Sequence, residues 1–323
     1  MKKILTLILI SNMTFNTYSQ SQSEPMPASA VTDAKSLIEA YISPLGNSLA
    51  SGLNNGWYNT AKPHKLGGFD VTFTANFVLI NDDVKTFNIN DVVEGDLFSG
   101  ENAPTILGAS DANADIELEE LGGTTVFKMP NGFNIPTIPV PVLQAGVGLI
   151  KGTEVKVRYV PETKFGNAGK VSVLGFGIQH DLLQWIPIVD KIPIDLAFQA
   201  GYTKVDSEID LVDANGYVDP GTANLDLSAT TVNLILSKKL LMFTPYIGIG
   251  YNSNTTVFNV EDKFHIGYQY LPTSALTDYT FSSNNNFRTN VGFRFNLAII
   301  ALQANYTISE YPVATIGVGV SFR

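Results

Sequence analysis

The sequence predicts an all-β protein: a transmembrane antiparallel β-barrel of ten to twelve strands, preceded by a short N-terminal helical segment. Three observations carry this expectation. Long segments alternate apolar and polar residues with period two. Hydrophobic residues make up 45% of the chain, yet past the first residues no apolar run is long enough for a membrane helix. The connections between alternating segments also sort into short and long in turn, as they do when strands cross a bilayer back and forth.

The chain opens with Met-Lys-Lys, an apolar run over Ile4–Ile10 and a polar stretch ending Thr17-Tyr18-Ser19-Gln20. This is the pattern of a secretory signal peptide over residues 1–19, with the mature chain starting near Gln20 outside the cytoplasm. The sequence has no Cys, so neither lipid attachment at the cleavage site nor disulfides are expected. A net charge of −10 speaks against a nucleic-acid partner, because phosphate binding needs clustered Lys and Arg.

Residues 20–66 are not strand-like and predict a helical plug or lead-in segment. "VTDAKSLIEAYISPL" reads as a short helix with Thr32 as N-cap and Leu37, Ile38 and Tyr41 on one face. Pro44 is expected to interrupt it, with a further turn or two before Gly56 closes it. "GWYNTAKPHKLGGF" then reads as a strap at the periplasmic rim, where Trp57 and Tyr58 anchor at the lipid interface. Trp185, on a later inner connection, is expected at the same level.

The barrel is assigned to residues 67–323. In "FDVTFTANFVL", Phe69, Val71, Phe73, Ala75, Phe77 and Leu79 share one face, and Asp70, Thr72, Thr74 and Asn76 share the other. The pattern recurs in "TEVKVRYV", "PIDLAFQAGYT", "FRTNVGFRFNL", "IALQANYT" and the closing "YPVATIGVGVSFR". With the N-terminus in the periplasm, residues 81–140 form an outer loop and the second strand covers 141–150. Inner turns fall at Lys151-Gly152, 181–192, Lys238-Lys239 and Ala298-Ile299. Outer connections fall at 163–169, 210–223, 253–285 and Ser309-Glu310. That makes ten strands, or twelve if a hairpin hides near 262–270. Gly317, Val320 and Phe322 partly fit the last-strand signal read by the barrel assembly machinery, an expected partner during biogenesis alongside outer-membrane lipid.

The polar faces place Asp70, Glu154, Lys156, Arg158, Asp195, Arg288 and Arg294 toward the lumen as candidate ligand or lining residues. Internal bracing is the favoured role, since a barrel this small leaves little room for a channel. His64, His180 and His265 show no metal-ligand spacing, so no metal or cofactor is expected. Ser172 lies too far from His180 on one strand for a dyad, and G-x-S-x-G is absent, so no catalytic residue is expected. The 81–140 segment holds eleven acids against Lys85 and Lys128, leaving −9 of the chain's −10. "DANADIELEE" sets carboxylates at alternate positions, but Ile116 stands where an EF-hand loop needs Gly, so a solvated acidic surface is expected there and in "DANGYVD".

Gly56-Trp57, Thr60-Ala61, His64 and Gly68-Phe69-Asp70, together with "GFGIQHDLLQWIP", resemble an uncharacterised family of Bacteroidota-type outer-membrane proteins. A helical segment ahead of a barrel is also remotely similar to the long-chain fatty-acid transporter superfamily. That resemblance implies a hatch and a lateral opening for hydrophobic substrates, although this chain is short for fourteen strands. The expectation is passage or binding of small, hydrophobic compounds at the cell outer membrane without covalent chemistry. A non-transporting structural or assembly barrel is the alternative, and an enzyme ranks third.

Overall fold

Ten strands close into one antiparallel meander in which every strand pairs with its sequence neighbours and the last returns to the first. They are β1 (Phe69–Leu79), β2 (Thr137–Gly148), β3 (Thr153–Lys164), β4 (Lys170–Asp181), β5 (Asp195–Leu211), β6 (Gly221–Ser237), β7 (Phe243–Glu261), β8 (Tyr279–Leu297), β9 (Ile300–Ile308) and β10 (Val313–Phe322). The computed structural model describes residues 28–94, 98–112, 114–118, 124–164, 169–186, 193–211, 221–261, 265–266, 269–270 and 279–322. The expected signal peptide and the "DANGYVD" stretch lie outside the described residues. Closure joins β1 to β10 from Phe69↔Phe322 to Val78↔Val313. The count is ten. Among the described residues near 262–270 there is a two-residue ladder, His265–Ile266 with Gln269–Tyr270, apart from the barrel sheet.

Period two alone sorts the faces, and it runs opposite to a soluble sandwich. On β1, Phe73 is 48% exposed while Thr74, its neighbour in sequence, is 1% exposed. Phe176, Val291, Val318 and Leu302 likewise face outward, while Arg158, Arg288, Thr231 and Gln199 are buried inside. Burial of apolar area is worth about 25 cal/mol per Å², so an apolar exterior around a polar interior is stable only in lipid. The barrel therefore spans a membrane. Tyr159, Tyr202 and Tyr251 end the outward apolar runs of β3, β5 and β7, as interfacial aromatics do.

One end carries the short turns. At Lys151-Gly152 both residues have positive φ, 55° and 60°, as a two-residue hairpin turn requires. The other end carries the long connections, and the strands on one side rise above the rest toward it: β5 and β6 have 17 residues and β7 and β8 have 19. The 80–136 connection folds back there, with short ladders of its own (Thr86–Asn88 with Asn102–Pro104; Phe98–Ser99, Asp115–Leu118 and Thr124–Lys128).

The N-terminal segment corrects two expectations. The helix α1 (Ala28–Leu53) is continuous, with Pro44 inside it. It survives the missing Pro44 N–H because both halves are held: Leu37, Tyr41 and Ile42 before it, and Ala50 and Leu53 after it, share one core with Val78, Ile106, Leu107, Val140, Leu227 and Phe281. The Ser48 hydroxyl also donates to the Pro44 carbonyl. The second concerns the N-terminus, expected on the short-turn, periplasmic side: the segment enters the lumen from the long-loop end. Gly52 packs against Val78 and Val140, Gly56 against Thr74 at mid-height, and His64 sits by Gly68 and Gly148 at the short-turn end. Residues 54–66 thus run down through the barrel, antiparallel in sense to β1, and turn at Gly67 (φ 77°) into the first strand.

The wall is not uniformly paired. β2 bonds β1 along its whole length, from Phe69↔Val147 to Leu79↔Thr137. It pairs with β3 only over Gln144–Gly148 against Glu154–Arg158. Above Leu143 and Tyr159 the two strands part. Gly148 exchanges bonds with Gly68 and Gly67 of the β1 side, whereas Leu149 N–H reaches Thr153 of the β3 side. Odd-numbered residues of β2 therefore present their backbone groups to β3. Pro139 and Pro141 are odd-numbered, and on β3 Pro161 falls within a register shift between Val160 and Thr163. Two prolines remove donors from the facing edge of β2, the device that keeps a strand edge from pairing, and a bulge interrupts the β3 edge.

Candidate functional site

The lumen is filled by the strap, and the charged residues read from the sequence hold it. An α-helix leaves its last carbonyls unsatisfied and its C-terminus partially negative. Here those carbonyls meet guanidinium groups. Arg158 donates to the carbonyls of Leu53 and of Asn55 (2.8 Å) and to Gln144 Oε1 (3.0 Å). Arg288 donates to Asn54 O and Asn55 Oδ1, both at 2.7 Å. Farther down, Lys156 Nζ donates to Trp57 O (2.8 Å) and Gln179 Nε2 to Thr60 O (2.9 Å). Arg294 donates to Asn59 Oδ1 at 2.8 Å, and Glu154 Oε2 accepts the His64 N–H at 2.8 Å. Glu154, Lys156, Arg158, Arg288 and Arg294 thus each bond the strap. Asp195 sits at the short-turn rim instead, 3.4 Å from the exposed Lys62 ammonium.

Trp57 and Tyr58 overturn the interface-anchor expectation. They are 1% and 5% exposed, at the centre of a lumenal cluster with Ala61, Ala197, Ile235 and Tyr246. The Trp57 ring lies in a notch made by glycines: a Cβ on Gly201 would stand 2.5 Å from it and one on Gly177 2.6 Å. The Arg158 guanidinium stacks 3.6 Å from the ring centroid. Tyr58 takes the corresponding gap over Gly248. The sequence signal was the run of small residues on lumen faces, whose missing volume had to be filled by something bulky from elsewhere. With the ring pinned between Arg158 and two strands, Gly201→Ala is expected to destabilise the barrel by about 1–3 kcal/mol. An unchanged urea-unfolding midpoint in lipid vesicles would show that the notch is not tight.

Trp185 is 63% exposed, and it holds the short-turn rim. Its Nε1 donates to His180 Nε2 (2.9 Å), which leaves the proton on Nδ1, 2.9 Å from Thr153 Oγ1. His180 is thereby a satisfied rim residue. Ser172 stands eight residues up the same strand, about 26 Å away at a 3.3 Å rise.

The structure also gathers what spacing concealed. His64 of the strap, Asp70 of β1 and Glu154 of β3 are all buried, and a ligand atom from each lies within 4.8 Å of the others. Near the long-loop end a second feature appears. The helix α1 packs chiefly against β1, β2, β6, β7 and β8. Its Ile38, Leu45 and Leu49, which share the face turned toward the remaining wall, stay half-buried. Across from them the lumen-facing Val160, Val171, Val173 and Val205 of β3, β4 and β5 are also only half-buried. Half-buried apolar side chains therefore stand beside α1 on β3, β4 and β5, and Ile38, Leu45, Leu49 and Val205 pack against the core. Outside the spanning strands, the half-buried Lys85 ammonium, 2.8 Å from the exposed Asp82, holds that carboxyl below its usual range.

A family model described as "Family of unknown function (DUF6588)" matches residues 1–322. No curated protein matches the sequence. Among solved structures, the chain is similar to the β domain of the Bordetella autotransporter BrkA (10% identity, 80% of this chain and 98% of that one, TM-score 0.33). It is similar too to the outer membrane protease OmpT of Escherichia coli (8%, 83% and 100%, 0.31). The attachment invasion locus protein Ail of Yersinia pestis, solved with a heparin analogue, gives 9%, 80% and 98%, with a TM-score of 0.29. Likeness this distant says nothing about activity.

Proposed function

The chain belongs to the DUF6588 family, whose function is unknown, and we propose that it is an outer-membrane barrel that binds small apolar compounds and admits them sideways from the bilayer. The observation that carries this reading is the proline-edged parting of β2 and β3 beside half-buried apolar side chains of α1, β3, β4 and β5, which would line a lateral crevice. A barrel gains nothing by leaving two strand edges unpaired in lipid, where each unsatisfied backbone group is costly. Prolines at 139 and 141 remove donors in advance and a bulge at 160–163 breaks the β3 edge, so the parting is built into the sequence. An apolar molecule in the outer leaflet would meet Leu143 and Tyr159 at the foot of the gap. It would then settle against Leu45 and Leu49 of α1. The clamped strap closes the way down, so onward passage requires its displacement. The short-turn end would face the periplasm, and the remote similarity to fatty-acid transporters is in keeping with this route.

The test is saturable binding of an apolar fluorescent probe to the protein in nanodiscs. Leu49→Asp places a charge on the crevice face without touching the strap, and is expected to weaken binding at least tenfold while heat-modifiable migration is unchanged. Equal binding by the variant, or none by either form, would sink the proposal. The strap clamp favours the second reading, a closed barrel that acts through its outer cap. A protein that binds no probe but retains a partner through that cap would support it.

A further inference from the structure

We infer that His64, Asp70 and Glu154 form a site for one divalent transition-metal ion, for which Zn²⁺ is the natural probe, and that the ion staples the lower strap to the barrel. The three residues come from three separate segments, the strap, β1 and β3, and none is more than 6% exposed. Asp70 and Gly146 pair across β1 and β2, and Gly146 and Lys156 pair across β2 and β3. The Asp70 and Glu154 carboxylates consequently converge over Gly146. A Cβ there would lie 2.7 Å from Asp70 Oδ1 and 2.9 Å from Glu154 Oε1, so only glycine leaves the space open.

Within this space one ligand atom, the buried Asp70 Oδ1, has no hydrogen-bond partner. Burying an unpaired polar atom is costly, and a bound group is one way to offset it. His64 Nε2 stands 3.6 Å from Asp70 Oδ2, long for a hydrogen bond. Bonds of about 2.0–2.1 Å in a tetrahedron set ligand atoms roughly 3.3 Å apart, so the groups need to close by little. One imidazole nitrogen with two carboxylates suits zinc and its neighbours better than calcium or magnesium, which take oxygen ligands alone. Their two negative charges match a divalent cation.

Lys156 is the resident competitor, with its ammonium 3.3 Å from Glu154 Oε1. It does not depend on that contact, since it also donates to Trp57 O at 2.8 Å and Gln179 Oε1 at 2.9 Å. A metal on Glu154 would leave Lys156 with both shorter bonds. The site adjoins a small polar cavity lined by Asn59, Thr60 and Lys62, and Lys62 is exposed at the short-turn rim, which supplies an entry path. This inference does not depend on the lateral crevice, which lies at the other end of the lumen.

The experiment is calorimetric titration of Zn²⁺ into the chelator-stripped full chain in detergent. One equivalent should bind, and it should raise the thermal midpoint. Asp70→Asn is expected to weaken binding at least tenfold. Gly146→Ala, which keeps all three ligands and fills the space between them, should do the same if Asp70→Asn fails to fold. His180→Ala, which removes the exposed rim imidazole, should leave binding unchanged. Absence of saturable one-to-one binding, or binding lost with His180 but kept in Gly146→Ala, would overturn the assignment.

Discussion

Arg158→Ala is expected to destabilise the folded barrel by about 3–5 kcal/mol, the range for breaking a buried charged contact. The residue is 1% exposed and serves the strap in three ways. It satisfies the Leu53 and Asn55 carbonyls, holds Gln144, and covers the Trp57 ring. Each acceptor stranded by its loss costs about 1–3 kcal/mol. Part of that is offset, because removing a guanidinium also removes its own desolvation and its repulsion of Arg288, which bonds the same turn through Asn54 and Asn55. Arg158→Lys should recover little. A single ammonium cannot reach two carbonyls in a fork while stacking on an indole. The measurement is the temperature at which heat-modifiable migration is lost. Equal midpoints for Arg158→Lys and the unaltered protein would refute the fork geometry.

The barrel was legible because its signal is local. Period two in "FDVTFTANFVL" needs no knowledge of the rest of the chain, and the count of ten follows from alternation and turn residues, although β7 runs to Glu261 and β8 starts at Tyr279, inside the 253–285 span expected as an outer connection. The second strand, which begins at Thr137 instead of 141, starts with alternating Pro and Val that read as loop. The strap was illegible for the opposite reason. Whether Trp57 faces lipid or lumen is decided by Gly177 and Gly201, more than a hundred residues away, and by Arg158. A rule based on local context sends an aromatic pair beside a strand to the interface. Pro44 failed as a helix breaker on similar grounds, because the packing on both sides of it outweighs one missing hydrogen bond. The His64, Asp70 and Glu154 cluster has no spacing to recognise, since register alone brings β1 and β3 to the strap. The lumenal cations were recognisable on the polar faces, but their partners are backbone carbonyls, which carry no signature in sequence.

Those cations also set what an emptied lumen would do. The intact protein is expected to be silent in a planar bilayer, because the strap occupies the interior from Leu53 to His64 with hydrogen bonds at most levels. Deleting residues 20–66 removes Trp57, Tyr58 and the helix together and leaves water in their place. Lys156, Arg158, Arg288 and Arg294 then face that water opposed by Asp70 and Glu154 and, at the short-turn rim, by Asp195 once Lys62 is gone, an excess of one positive charge within a narrow wall. Low-dielectric walls focus such a field, and rings of Arg and Lys select anions. A steady current is therefore expected, with anions preferred over cations several-fold, the preference shrinking in Arg288→Gln and at high salt. Folding of the deletion is checked by its heat-modifiable migration. A folded deletion that passes no current would mean that the wall side chains close the barrel alone, and the strap could then not be its gate. A cation preference would mean that the guanidinium groups turn away from the pore once their carbonyls are gone.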